Sequence, residues 1–240
     1  MRKSFVQTIF TAIQEGLQED YQSFTSNRKL ITSNSKCSLR WDIVNTNLDE
    51  SLQNIEIAFP SMGFWKFALL LDKENRELYT LMNRKRYDNI IKNPTKNAPL
   101  YMRALVNLNE NLGVLAPTLF PIEDEEQNKE LYKILNKLCN SFSAKNDFEN
   151  VRYNIIVFTT DSFGNVIDLT SKILDIHLNV LHSYKLLDDV SPIHSNIIEQ
   201  VSSEDKNEPI LKLKRKAELR KGEESKVSLR NDDVLNEKHA

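Results

Sequence analysis

Apolar residues recur every three or four positions along the first part of the chain. The members of this stripe are Phe5, Ile9, Phe10, Ile13, Leu17, Tyr21 and Phe24. Because this spacing puts them on one face of an α-helix, the pattern predicts an amphipathic helix over residues 3–24, with Ser4 as its N-cap. Residues 25–36 are polar and rich in Ser and Asn, so a loop is expected to follow.

Alternation of apolar and polar residues predicts strands in the next part of the chain. Residues 37–45 alternate weakly and are interpreted as a short strand. Residues 55–59 alternate cleanly up to Pro60, and they predict a second strand that ends there because proline cannot donate to the ladder of backbone hydrogen bonds.

A β-hairpin is predicted next. Residues 64–71 are aromatic and apolar, residues 72–76 form a polar turn, and residues 77–82 alternate again. Asn83 then offers an N-cap for a helix over residues 84–91. The large side chains of the hairpin, joined by four from elsewhere, are expected to form the main core: Phe64, Trp65, Phe67, Leu69, Leu71, Leu78 and Leu81, with Phe10, Leu105, Leu135 and Val157.

Helices are predicted in the middle of the chain. Pro99 is expected to start a helix over residues 99–109, and Gly113 fits the cap at its C-terminal end. Pro121 is expected to open a second helix, whose first turn is acidic and whose later part is rich in lysine. The apolar stripe of this second helix consists of Leu131, Ile134, Leu135, Leu138 and Phe142.

Strand patterns return after these helices. Residues 151–160 and 166–169 are rich in β-branched residues and flank a turn, which predicts a strand pair. Residues 173–187 fit a strand pair or one long helix equally well.

The composition changes after about residue 195. Residues 200–240 contain no aromatic residue and carry dense charge of both signs. Such a segment buries too little apolar area to offset the entropy lost on ordering. The sequence therefore predicts a single α+β domain over residues 1–195, in which antiparallel hairpins pack with a helical middle section, and a charged, mostly disordered tail over residues 196–240.

Charge and composition restrict the class of protein. The formal net charge is −2 at pH 7, whereas a dedicated nucleic-acid binder is usually more basic. Only five glycines are present, which argues against Gly-rich phosphate loops. Cys37 and Cys139 are isolated, as expected for a reducing compartment. Since neither a signal sequence nor a membrane-spanning apolar run is recognised, a cytoplasmic protein without membrane association is expected.

No catalytic residue, metal site or cofactor is predicted. His177 and His182 are five positions apart and share neither a helical face nor a strand face, so they do not form a pair of metal ligands. The Glu-x-Lys matches at residues 204–206 and 224–226 fall in the predicted tail, where a nuclease metal site has no rigid support. Cys37 lies near two basic residues, an arrangement too common to identify a nucleophile.

The segment Arg40-Trp41-Asp42, followed by Asn45, is the leading candidate for a binding site. A tryptophan supplies a large anchoring surface, while an arginine and an aspartate supply directional hydrogen bonds. Asn45 adds an amide that reads a peptide or base edge, or caps a turn. In the alternative interpretation, Trp41 is a core residue and Arg40 and Asp42 are neighbours on one side of a strand.

Two basic groups extend the candidate surface. Arg84 and Arg86 open the helix after the hairpin and are included among the candidate binding residues, with a solvated helix surface as the alternative. A second group lies in the predicted tail and is expected either to meet the phosphates of a nucleic acid or an acidic partner, or simply to keep the tail in water. Its members are Lys212, Lys214, Arg215, Lys216, Arg220 and Lys221.

Four segments carry a resemblance to a known family. They are Arg-Trp-Asp-x-x-Asn at residues 40–45, Leu-Tyr-Thr-Leu-Met at residues 78–82, a basic and aromatic helix start at residues 83–87, and Tyr-x-x-Ala-Leu-x-x-x-Asn at residues 101–109. In these segments the chain resembles a family of uncharacterised bacterial proteins over residues 5–187. The resemblance implies a setting among bacterial mobile elements or phages and implies nothing about catalysis.

Two functions of different classes follow as hypotheses. The first is a non-enzymatic binding or regulatory protein of a bacterial mobile-element or phage-defence system, similar to a toxin–antitoxin pair, with a protein partner. The second is a toxin or nuclease-like enzyme that acts on nucleic acid through Arg40, Asp42, Asp72, Arg84 and Arg86. The sequence leaves the oligomeric state open.

Overall fold

Residues 2–26, 35–112, 125–142 and 148–190 are described by a computed structural model of the protein. The helices are α1 (Lys3–Leu17), α2 (Glu19–Ser26), α3 (Lys36–Ser51), α4 (Arg84–Lys92), α5 (Pro94–Asn97), α6 (Leu100–Leu105) and α7 (Glu125–Cys139), with 3₁₀ helices at Val106–Leu112 and Leu187–Asp189. The strands are β1 (Glu56–Ala58), β2 (Ser61–Met62), β3 (Trp65–Lys66), β4 (Leu69–Asp72), β5 (Glu77–Asn83), β6 (Arg152–Thr160), β7 (Val166–Leu174) and β8 (Val180–Lys185).

Six of these strands form one mixed sheet in the order β1-β4-β5-β6-β7-β8. Neighbouring strands are antiparallel except β5 and β6, which are parallel. Because parallel neighbours need a long crossover, the chain leaves the sheet at Asn83 and returns at Arg152, and α4, α5, α6 and α7 lie in that connection. The strands β2 and β3 pair as a separate ribbon. The fold is α+β, with antiparallel hairpins around a helical middle section, as predicted.

Both faces of the sheet are covered. Leu69, Leu71 and Leu78 pack on one face with residues of α4, α6 and α7, and we call this group the crossover cluster. Leu70 and Tyr79 pack on the other face with residues of α1 and α3, which we call the N-terminal cluster. Since successive residues of a strand point to opposite faces, a strand buried on both faces is continuously apolar. This double burial explains the unbroken apolar run in β4.

The prediction of a strand over residues 37–45 is wrong, because this segment belongs to helix α3. Val44 and Leu48, one turn apart, are fully buried in the N-terminal cluster. The two helices approach closely at Gly16 of α1, where an added Cβ atom would lie 2.8 Å from Cγ2 of Val44. Packing against α1 therefore selects a helix in a segment whose local alternation favours a strand.

The prediction that Phe64 and Trp65 belong to the core is also wrong, because Trp65 lies in strand β3 of the ribbon and Phe64 lies in the turn that precedes it. Gly63 adopts a φ of 65°, a left-handed conformation that suits glycine, and it turns the chain between the two strands of the ribbon. Phe64 at this turn is fully exposed, and Trp65 is 42% exposed. The other predicted core residues are buried or half-buried, but they divide between the two clusters: Phe67, Leu69, Leu71, Leu78, Leu105, Leu135 and Val157 in one, Phe10 and Leu81 in the other.

Two predicted N-caps have different outcomes. The first predicted helix is interrupted at Gln18, and its N-cap is Arg2, which makes no side-chain capping bond, instead of Ser4. Asn83 is confirmed as the N-cap of α4, since its Oδ1 atom accepts a hydrogen bond from the backbone N–H of Arg86 at 2.8 Å. Capping by asparagine follows from local chemistry and is readable in sequence.

The C-terminal half of the domain follows the predicted strands. The strand pair expected around residues 161–165 is formed by β6 and β7, and the ambiguous residues 173–187 form the end of β7, a turn and β8. The described residues belong to one compact unit, Met1–Ser191. Gly113, Pro121 and the predicted tail lie outside the described residues. Within the described ranges, no helix combines the length and apolar character that a membrane span requires.

Asn109 fastens the crossover to the sheet. Its fully buried amide donates two hydrogen bonds from Nδ2, to the carbonyl oxygens of Tyr153 at 2.8 Å and Leu174 at 2.9 Å. Its Oδ1 atom accepts a third from the backbone N–H of Tyr153 at 2.8 Å. One side chain thereby satisfies backbone groups of both β6 and β7, which would otherwise be buried without partners.

Replacing Gly16 with alanine is expected to lower the free energy of unfolding by about 1–3 kcal/mol, because the added methyl group overpacks the contact with Val44. Alanine is the better helix former, so an increase in stability would contradict the close packing of α1 and α3. Chemical denaturation followed by circular dichroism measures the change. Ser23→Ala, at an exposed position of α2, is the control and should shift the value by less than about 0.5 kcal/mol.

Replacing Asn109 with alanine is expected to cost at least about 3 kcal/mol, because three hydrogen bonds are lost and buried backbone groups lose their partners. Asn111→Ala removes the same amide from an exposed position of the same 3₁₀ helix and should be nearly neutral. Denaturation curves of the two variants provide the comparison. Equal stability of both variants would show that Asn109 does not hold the crossover in place.

Candidate functional site

A pocket of about 630 Å³ opens where α3, the β2–β3 ribbon, the end of β5 and the start of α6 meet. We call it the aromatic pocket. It is lined by Trp41, Asn45, Met62, Gly63, Trp65, Phe67, Ala68, Leu81, Met82, Asn83, Arg86, Pro99, Leu100 and Tyr101. Its volume lies within the range of about 300–1,000 Å³ that is usual for ligand pockets.

The two tryptophans of the chain both line this pocket. Trp41 comes from α3 and Trp65 from β3, and their rings meet edge to face with centroids 6.4 Å apart. Trp41 also meets the ring of Phe158 at 5.8 Å, which joins it to the N-terminal cluster. Trp41 is therefore both a support of the core and a wall of the pocket, so the two interpretations of this residue from sequence do not exclude each other.

A second pair of rings completes the aromatic lining. Phe67 follows the ribbon, and Tyr101 lies in α6, which begins directly after Pro99. Their rings stack with centroids 4.3 Å apart. Burial raises the pKa of the Tyr101 hydroxyl to about 12, although the positive charge of Arg86 acts in the opposite direction. Tyr101 is therefore neutral at physiological pH and supplies an apolar ring with a polar edge.

Besides the Tyr101 hydroxyl and the indole N–H groups, the pocket is lined by two side-chain amides and one guanidinium. Among the described residues, the lining contains Arg86 as its single charged residue and no carboxylate. The Arg86 guanidinium donates one long hydrogen bond, of 3.5 Å, to the carbonyl oxygen of Asn97 and pairs with no carboxylate of the described residues. Asn83 uses its Oδ1 atom to cap α4, while the side chain of Asn45 makes no hydrogen bond within the described ranges. The pocket thus presents an unpaired positive charge beside apolar walls.

Large exposed apolar side chains lie in the lining of the pocket or next to it in sequence. Phe64, at the turn of the ribbon, is fully exposed, and Trp65 and Leu100 are both about two-fifths exposed. An added Cβ atom on Gly63 would meet nothing within 4 Å, so the turn projects into open space. Exposed aromatic residues beside an apolar cavity are typical of a surface that binds another molecule.

The triplet Arg40-Trp41-Asp42 does not act as one group, because helix α3 turns successive residues by about 100°. The guanidinium of Arg40 lies over the ring of Tyr21 at 4.5 Å, and its Nε atom is buried without a hydrogen-bond partner in the described part of the chain. Asp42 is exposed and lines a separate acidic pocket of about 410 Å³ with Glu15, Asp20 and Glu50. Of the triplet, Trp41 alone lines the aromatic pocket.

Arg84 and Arg86 are likewise separated, although both lie in the first turn of α4. Arg84 forms an ion pair with Asp88 at 2.8 Å and approaches Asp168 at 3.9 Å. Of the six predicted binding residues, the structure brings Trp41, Asn45 and Arg86 together, and it directs Arg40, Asp42 and Arg84 elsewhere.

The residues of the nuclease hypothesis do not converge either. Asp72 is buried and accepts hydrogen bonds from the backbone N–H groups of Glu74 and Asn75, so it holds the β4–β5 turn together. Asp72 lies opposite Glu77 in the antiparallel ladder of β4 and β5, at one end of β5. Arg84 follows the other end of β5, about 20 Å away at the usual rise per residue of a strand. Among the described residues, no group of three or more His, Cys, Asp or Glu side chains is placed to hold a metal ion.

Sequence reasoning missed several residues of the pocket, among them Tyr101, Leu100 and Met62. The resemblance held a clue to Tyr101, because this residue begins one of the four shared segments, while Asn83 and Arg86 lie in another. No local pattern indicated that Leu100 and Met62 would meet at the pocket.

The comparisons with known proteins identify a family. A family model described as Family of unknown function (DUF5986) matches residues 1–229, so the chain belongs to this family. No curated protein and no solved structure matches the chain. The assignment confirms the resemblance to a family without an established activity, and the link to mobile elements stays a prediction.

The two cysteines are expected to react with thiol reagents at very different rates. Cys37 is exposed, whereas burial raises the pKa of the Cys139 thiol to about 11. At pH 7.5 the thiolate of Cys139 should be about 300-fold scarcer than that of a thiol with the ordinary pKa of about 8.5, and its labelling should be slower by a similar factor. Mass spectrometry after brief alkylation measures both rates.

Cys37→Ser should abolish the fast labelling phase, and Cys139→Ser should leave it unchanged. Equal rates at both positions in the folded protein would contradict the partial burial of Cys139 at the end of α7.

Proposed function

We propose that this protein is a non-enzymatic binding protein that holds a segment of a protein partner in the aromatic pocket. The observation that carries the proposal is the convergence of Trp41, Asn45 and Arg86 on one cavity whose lining includes the exposed Trp65, next to the exposed Phe64 in the turn of the ribbon. These residues come from three distant parts of the chain, and three of them were candidate binding residues on sequence grounds.

The composition of the pocket supports binding through a buried anchor. Tryptophan, tyrosine and arginine are the residues most enriched among those that dominate the energy of protein interfaces. Trp65, Tyr101 and Arg86 provide one of each in a single lining. Removing the exposed area of Phe64 and Trp65 from water supplies a hydrophobic driving force that the isolated chain leaves unused.

The biological setting in the proposal comes from the sequence. The resemblance favours a regulatory role in a bacterial mobile-element or phage-defence system, and the isolated thiols of Cys37 and Cys139 favour the cytoplasm. We do not extend the proposal to a nucleic-acid-acting toxin, because Arg40, Asp72 and Arg84 point to different surroundings. The basic cluster at residues 212–221 lies outside the described residues.

Affinity capture from the native host tests the proposal by comparing substitutions of exposed aromatic residues in two different turns. The full chain is compared with Phe64→Ser, Trp65→Ala and Phe163→Ser, and the partners are quantified by mass spectrometry. Phe163 is 81% exposed in the β6–β7 turn, whereas Phe64 stands between the lining residues Gly63 and Trp65, so Phe163 controls for the loss of an exposed ring. We expect a stoichiometric protein partner whose recovery falls about tenfold or more with the first two variants and is unchanged by the third.

Two outcomes would overturn the proposal. One is the absence of a stoichiometric protein partner at several salt concentrations. The other is a partner that is recovered equally by Phe64→Ser, Trp65→Ala and the unmodified chain. Circular dichroism of each variant shows whether the fold is intact, and the full exposure of Phe64 makes its variant the least disruptive.

A further inference from the structure

The aromatic pocket combines two chemical requirements for its occupant. Its walls are rings and aliphatic side chains, including the Trp41–Trp65 and Phe67–Tyr101 pairs, and they need a large apolar group to displace water. The exposed guanidinium of Arg86, which has no carboxylate partner among the described residues, is available to an anion. One occupant satisfies both requirements if it carries an apolar group and a negative charge close together.

The charges around the pocket reinforce the second requirement. Lys66 lies in β3 beside Trp65, and Lys85 precedes Arg86 in α4; both are exposed, and neither forms an ion pair within the described ranges. By contrast, the neighbouring Arg84 is neutralised by Asp88. Neither lysine lines the pocket, so Arg86 supplies the charge of the lining; since no carboxylate is found among the described lining residues, nothing there repels an acidic ligand.

The amide of Asn45 favours a peptide as the molecule that carries the apolar group and the negative charge. Asn45 lines the pocket with a side chain that makes no hydrogen bond in the described part of the chain, so both its donor and its acceptor are available to a backbone N–H and C=O. The aliphatic residues Met62, Leu81, Met82 and Leu100 match aliphatic and aromatic side chains better than a row of stacked bases, which needs successive exposed rings along a positively charged groove.

From this geometry we infer that the aromatic pocket binds an extended peptide segment with a large apolar side chain next to an acidic residue. The apolar side chain packs against the aromatic rings that line the pocket. The acidic side chain pairs with Arg86, and the amide of Asn45 forms hydrogen bonds with the peptide backbone. This inference rests on the proposed function and adds the chemistry of the partner segment.

Selection from a displayed library of random decapeptides against the full chain tests the inference. Selected peptides are expected to share an acidic residue adjacent to Phe, Leu, Ile or Met. Synthetic capped versions, without tryptophan, are then titrated while the tryptophan fluorescence is recorded. Because both tryptophans of the chain line the pocket, a change in fluorescence reports its occupation.

Reversing the charge of Arg86 tests whether this residue itself, and not the net charge of the protein, determines the binding of acidic peptides. Arg86→Glu is expected to weaken binding of the acidic peptides about 10- to 100-fold, the range for loss of a charge-assisted hydrogen bond, and to shift selection toward Lys or Arg beside the apolar residue. Lys92→Glu changes the net charge equally at the exposed, opposite end of α4 and should leave affinity nearly unchanged. Thermal melting confirms that both variants remain folded.

Three results would overturn the inference: no enriched motif, an enriched motif without an acidic position, or acidic peptides that bind Arg86→Glu as tightly as the unmodified chain. Tighter binding of single-stranded octauridylate or octaadenylate, lost in Arg86→Glu, would assign the pocket to nucleic acid instead. If the host partner depends on Phe64 and Trp65 but is indifferent to Arg86→Glu, the proposed function stands and this inference fails.

Discussion

Burial of the central sheet on both faces is the constraint on which the rest of the structure depends. The strands β4, β5 and β6 place alternate side chains in the crossover cluster and in the N-terminal cluster, so each face needs its own layer of helices. The parallel pairing of β5 with β6 sends α4, α6 and α7 to one face through a long connection. The other face is left to α1 and α3, which come before the first strand of the sheet.

Each covering layer is attached by a small number of specific contacts. On the crossover side, Asn109 joins the backbone of β6 and β7 through its buried amide. On the N-terminal side, Gln14 of α1 and Gln18 at its C-cap donate to Oδ1 of Asn165 in the β6–β7 turn, and Gln14 accepts from the backbone N–H of Val166 at 2.7 Å. These polar bonds fix the position of helices whose apolar packing is non-directional.

The aromatic pocket lies where the two layers meet at the end of β5. Trp41 and Leu81 pack with the N-terminal cluster, whereas Phe67 and Met82 belong to the crossover cluster, and all four line the pocket. The site is therefore assembled from both halves of the core, and the β2–β3 ribbon supplies its exposed edge. A pocket supported by two packed clusters holds its rings in place before any ligand arrives, which lowers the entropic cost of binding.

The sequence determined those features that arise from neighbouring residues. The period of apolar residues indicated α1, α7 and the strands β1, β5, β6 and β7, and the side-chain chemistry of Asn83 indicated the start of α4. The candidate residues Trp41, Asn45 and Arg86 were also recognised, because tryptophan, amide and arginine side chains near turns and helix starts suit recognition wherever they lie.

Only the tertiary structure decided which of those residues lie close to one another. Residues 37–45 read as a strand, yet contact with Gly16 and the burial of Val44 make them helical, and the helix then separates Trp41 from Arg40 and Asp42. The run at residues 64–71 read as one buried strand, yet the left-handed turn at Gly63 exposes Phe64. Periodicity records the faces of one element, whereas burial and convergence depend on packing between elements that are distant in sequence, which the order of residues does not contain.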